Sequence, residues 1–203
     1  MAVIHRAELR PPKAEALAAW LPAQPWSGLT AGAAVEIVTR FRFDDPEGEV
    51  GVEEIVVRTP EGRLLHTPLT YRGAPLDGAR GSLVCEMHHS VLGQRWVYDA
   101  VADPVYADVL RRAIATGGHE AELERADGSG RFDKEGTAVG SGSAPDSPTV
   151  TSATASTDGT ETTVHTDHGD LVVLRVIGLP VPDGETLTAT WRDRSAVVAV
   201  LPA

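Results

Sequence analysis

The chain has one cysteine, Cys85, so no disulfide can form within it. Aromatic residues are scarce, at 5% of 203. Basic residues are also few: 18 Lys and Arg stand against 29 Asp and Glu, a formal charge of −11. That field repels nucleic acid and anionic lipid, which excludes both as general partners. No stretch is apolar for long enough to span a bilayer, and the opening "MAVIHRAELRPPKAE" lacks the apolar core of a secretory signal. A cytoplasmic location is expected. The bias toward Ala, Gly, Pro and Val suits a GC-rich bacterial genome.

What is present is a globular pattern, 42% hydrophobic. Pro11 and Pro12 precede "KAEALAAWL", whose Ala16, Leu17, Trp20 and Leu21 recur at helical spacing until Pro22 stops the run. "LPAQPW" is expected to be extended and to anchor Trp26. "VEIVTRFRF" alternates, with Val35, Ile37, Phe41 and Phe43 predicted on one face and Glu36, Arg40 and Arg42 on the other. "VGVEEIVVR", "RLLHTPLTYR", "SLVCEMHHSVLG" and "RWVYDA" follow as extended segments between turn signals, an antiparallel meander. Asp103 then caps a helix with Pro104 at its first position, and Gly117-Gly118 end it. The Gly/Ser/Asp-rich stretch over 120–148 reads as a flexible linker or loop. Short β segments, "TVTSATAS", "TTVHT", "LVVLRVIGL", "TLTATW" and "SAVVAVL", make a small antiparallel sheet over 149–203. The fold class is therefore α+β: a meander sheet with packed helices over 1–119, then a second, smaller β unit.

Chemistry is harder to find. Cys85, His88 and His89 are metal-ligand types, but strand alternation sends His88 away from the other two, so no metal is expected. His89, Ser90 and Asp99 hold the atoms of a hydrolase triad without the strand–elbow–helix setting that exposes its serine. His165, Asp167 and His168 fall where a hairpin turn is expected. "DDPEGE" lacks the ligand spacing of a calcium loop. Neither phosphate-binding glycine motif occurs, so no nucleotide cofactor is expected. Trp20, Trp26, Trp96, Tyr98 and Tyr106 form either a sugar-stacking platform or the seam between helix and sheet, and packing is the commoner use.

"WLPAQPW", "PLTYRGAPLDGA" and "HSVLGQRWVYDAVADPVY" together resemble the N-terminal cap of bacterial maltokinases, over roughly residues 1–115. The strongest part is Pro68–Ala79 with His89–Tyr106. The resemblance implies a curved antiparallel sheet with packed helices. It also implies a place in maltose, glycogen and trehalose metabolism, where such kinases pass phosphate from ATP to a sugar. Tyr71, Arg72, Asp77, His89, Arg95, Trp96, Tyr98 and Asp99 carry the signature and form a possible contact surface, with Arg95 and Asp99 positioning the strand-to-helix corner. The tail segment "ETTVHTDHGDLVVLRVIG" is similar to part of the kinases' intermediate subdomain, and places Arg175 where they have a phosphate-contacting lysine. No large helical lobe follows before Ala203, so no catalytic residue is expected. The expectation is a non-catalytic cap-like accessory or binding protein. Its alternatives are the cap and small lobe of a split sugar kinase, or a glucan-binding module. Expected partners are a glucan-metabolising enzyme, a sugar-kinase lobe, or another copy of the chain.

Overall fold

A computed structural model describes residues 2–4, 7–125 and 127–203. Its elements are β1 (Ala2–Ile4), β2 (Leu9–Arg10), α1 (Lys13–Trp20), β3 (Glu36–Phe43), β4 (Gly51–Arg58), β5 (Leu64–His66), β6 (Leu69–Arg72), β7 (Leu83–His89) and β8 (Gly93–Asp99). They continue with α2 (Pro104–Ala115), β9 (Leu123–Arg125), β10 (Thr137–Gly140), β11 (Ala153–Asp158), β12 (Glu161–Thr166), β13 (Gly169–Leu174), β14 (Glu185–Trp191) and β15 (Arg194–Leu201). The structure is mostly antiparallel β, with two short α-helices among the described residues.

The first sheet runs β2-β7-β8-β6-β4-β3, with β5 also on β4. It is not a plain meander. The chain leaves β6, passes outside to β7, and returns as β8 between the two. Pro68 breaks the expected third strand into β5 and β6, because proline cannot donate to a ladder. In β3 the register slips between Ile37 and Thr39. This bulge reverses the alternation, so Val35 and Ile37 pack on one face of the sheet while Phe41 and Phe43 pack on the other. The sequence alternation had placed all four together.

Both faces of this sheet are covered. On one, α1 lays Ala16 and Leu17 over Ile55, Val57, Met87 and Val97, with Trp26 at the margin. On the other, Phe41, Phe43, Val52 and Val56 meet Tyr106, Leu110 and Ile114 of α2. The second sheet, β10-β14-β15-β13-β12-β11, closes onto the same helix through Val164, Leu171, Leu187 and Val198. One core thus spans both sheets, and α2 serves the second as much as the first. Leu65 of β5 also bridges to Val176.

The segment expected as a linker holds β9, paired in parallel with β1, and β10, an edge strand of the second sheet. Its glycines permit close contact. Gly140 N–H donates to Gly118 O, and Gly142 N–H to Ile114 O, along the end of α2. A Cβ on Gly140 would lie 1.9 Å from the Ala113 carbonyl oxygen, and one on Gly142 would lie 2.2 Å from that of Ala115. Only glycine fits there, so a composition that suggests flexibility marks close approach of backbones.

Candidate functional site

β4 carries two adjacent glutamates inside an apolar run, and alternation sends them to opposite faces. Both are interior: Glu53 is 2% exposed and Glu54 fully buried. A buried carboxylate is costly unless paired and hydrogen-bonded, and the two find different solutions.

Glu53 lies on the α1 face. Lys13, at the start of α1, donates to its two oxygens at 2.7 and 2.5 Å. The Tyr71 hydroxyl donates at 2.7 Å, and Arg42 Nε stands 3.5 Å away. Both cations lie over the Tyr71 ring, at 5.2 and 5.9 Å from its centroid. Burial pushes the Glu53 carboxyl upward, but Lys13, Arg42 and the hydrogen bonds outweigh it and hold the group at about 2. Burial lowers the Lys13 ammonium, an effect that Glu53 opposes. The Tyr71 phenol is pushed well above its usual range, first by burial and then by Glu53 beside it.

This cluster lies in an open groove of about 1500 Å³ lined by the start of α1, by β3, β4 and β6, and by residues 132–135. Gly51 leaves room beside Tyr71, whose Cβ would touch an added methyl at 3.4 Å. Arg95 lies along the wall over Gly73, where a Cβ would sit 2.8 Å from its Nη1. His89 and Ser90 close one end. His89 Nδ1 accepts from the backbone N–H groups of Val91 and Leu92, and Ser90 exchanges two hydrogen bonds with Glu8. The hairpin tip is thereby held with Val91 and Leu92 half exposed, at 55% and 45%. Arg40 pairs with Glu135 on the opposite wall at 2.8 and 3.1 Å.

Glu54 faces the other way, into the seam between the sheets. It bonds the buried His66 and faces the Tyr106 hydroxyl. Burial, then Glu54, pushes the Tyr106 phenol well above its usual range.

The signature residues divide between groove and seam. Tyr71, His89 and Arg95 share the groove. Arg72 instead forms a bidentate pair with Asp103, at 2.7 and 2.6 Å. Asp103 also caps α2 by accepting from Val105 N–H, so this arginine, rather than Arg95, positions the strand-to-helix corner. Tyr98 is buried and accepts from Leu76 N–H, closing the loop that leaves Asp77 exposed. Trp96 is half buried, opposite Arg72. Asp99 is 7% exposed and takes a bidentate pair from Arg175 at 3.0 and 2.7 Å. Arg175 is 1% exposed, donates also to Thr162 at 2.8 Å, and lies 4.9 Å from the Trp26 ring centroid. Arg175, which the resemblance aligns with a phosphate-contacting lysine, thus makes these three hydrogen bonds inside the core. Cys85 is half buried, and burial pushes its thiol up to about 11. Lys13, Arg42 and Glu53 escaped the sequence reading. The available signal was "EE" within "VGVEEIVV", since charges inside an apolar strand need partners.

Fold and groove define a class: a two-sheet antiparallel protein whose first sheet, capped by a short helix, presents a charged, open concavity. Residues 20–103 match the family model of the maltokinase N-terminal cap domain. A search of curated proteins found no match. Among the described residues, no helix is long and apolar enough to cross a membrane.

Proposed function

We propose that the protein is an accessory of maltose, glycogen and trehalose metabolism that acts by binding rather than by phosphoryl transfer. The observation that carries this reading is the groove: three signature residues from separate strands, Tyr71, His89 and Arg95, line one open concavity. The buried Arg175–Asp99 pair supports it, because the one residue aligned with a kinase phosphate contact is committed to the core. The partner that best suits the groove is a protein of the same metabolism, such as a sugar-kinase lobe. Mixed charges with a fixed apolar hairpin tip suit a protein surface. The experiment is a titration of the isotope-labelled chain with a purified maltokinase catalytic lobe, read by backbone NMR. Shifts clustered along Tyr71, His89 and Arg95 support the reading, and binding elsewhere or none at all rejects it.

A second reading, the cap and small lobe of a split sugar kinase, is favoured by the single core joining the two sheets. It requires phosphorylation of maltose once such a lobe is added. The glucan-binding reading is the weakest. Lys13 and Arg42 cover the Tyr71 ring, and Trp26, Tyr98 and Tyr106 are buried.

A further inference from the structure

The outer face of the second sheet carries a polar row that the groove does not use. Ser156 of β11, His165 of β12 and Asp170 of β13 lie side by side on three consecutive antiparallel strands. Ser156 Oγ is 2.9 Å from His165 Nε2, and His165 Nδ1 is 3.0 Å from Asp170 Oδ1. The direction of both hydrogen bonds follows from chemistry. An ionised Asp170 only accepts, so Nδ1 carries the proton. In the neutral imidazole Nε2 is then an acceptor, and the Ser156 hydroxyl donates to it. This is the order nucleophile, base, orienting carboxylate.

We propose that Ser156, His165 and Asp170 form an acyl-transfer centre, with Ser156 as nucleophile, His165 as general base and Asp170 as the positioning residue. The register supports the assignment. Asp170 sits directly opposite His165, which fixes the ring. Ser156 is diagonal to it, since Thr154 is the direct neighbour of His165. All three stand on strands rather than loops, which holds the geometry. Thr163 lies directly across from Ser156 on the same face, and its hydroxyl is assigned as the donor to the oxyanion. The face is open, with His165 48% and Asp170 51% exposed, so the ligand class is small, unhindered activated esters. In the first step a bond forms between Ser156 Oγ and the acyl carbon, while the hydroxyl proton passes to His165 Nε2. The ester C–O bond breaks, and the leaving alkoxide takes that proton. Water repeats the sequence, releases the carboxylic acid and restores Ser156.

The centre is separate from the groove, and its test is independent of the binding reading. The full chain is treated with a fluorophosphonate probe and with p-nitrophenyl acetate. The expected result is a single adduct mapped to Ser156. Ester turnover should fall about 10²-fold in both Ser156→Ala and His165→Ala, the low end of what a positioned base contributes. Asp170→Asn should label more slowly than the wild type. All three substitutions are at exposed positions and should leave the melting temperature unchanged. Absence of an adduct, labelling of Ser156 at the same rate in His165→Ala, or turnover that survives Ser156→Ala would each overturn the proposal.

Discussion

Replacing Arg175 by methionine separates a structural role for this residue from a phosphate-binding one. The substitution keeps much of the side-chain volume but removes three hydrogen bonds, two to Asp99 and one to Thr162. Asp99, 7% exposed, is then left as an uncompensated carboxylate. Breaking a buried ion pair from one side typically costs about 3–5 kcal/mol. For a chain of this length each kcal/mol moves the melting temperature by about 2–4 °C. Arg175→Met should therefore melt roughly 6–20 °C below wild type by circular dichroism. Removing the second charge as well, in Arg175→Met with Asp99→Val, should recover most of the loss, because an apolar pair of similar volume is often no less stable than the ions it replaces. Arg175→Met melting within about 2 °C of wild type would refute this reasoning, since each kcal/mol is worth at least that much.

Three further outcomes follow from the structure. The Glu53 carboxyl, ordinarily near 4.5, is held at about 2 in the fold. Folding thus favours its ionised form, so its contribution is complete above about pH 4.5 and is lost as pH falls toward 2; urea melts across this window should show the loss, and Glu53→Gln should flatten it. Gly142→Ala forces a methyl against the Ala115 carbonyl and should cost about 1–3 kcal/mol in denaturant melts, while Gly81→Ala, with open space around it, should be neutral. Trp26→Ala empties a buried site under Arg175 and should cost about 3–5 kcal/mol, whereas Trp96→Ala, half exposed, should cost less by the same measurement.

The elements were largely legible because their signals are local. The capping of α2 by Asp103 and Pro104, the run from Lys13 to Trp20, and the C-terminal strands follow from residue patterns alone. The strand order was not legible, since the return of β8 between β6 and β7 depends on long-range pairing. Nor was the reversal of faces in β3, because a bulge at Val38 leaves no mark in the alternation it interrupts. The site was half legible. The family signature drew attention to Tyr71, His89 and Arg95, which the groove unites. It could not separate them from Arg72, Tyr98 and Asp99, whose partners Asp103, Leu76 and Arg175 are 31, 22 and 76 residues away and are met only in the fold. Lys13 and Glu53 are 40 residues apart, and only the docking of α1 on the sheet brings them together. The glycines of 136–142 misled by composition, because the same residue type serves flexibility and close contact.

The claim that the protein binds without transferring phosphate is tested most directly by ³¹P NMR of the purified chain with Mg²⁺-ATP and maltose. The account predicts ATP signals that persist, with no phosphorylated sugar beyond that of a mock purification. A phosphosugar signal that grows in proportion to the purified wild-type chain would contradict it.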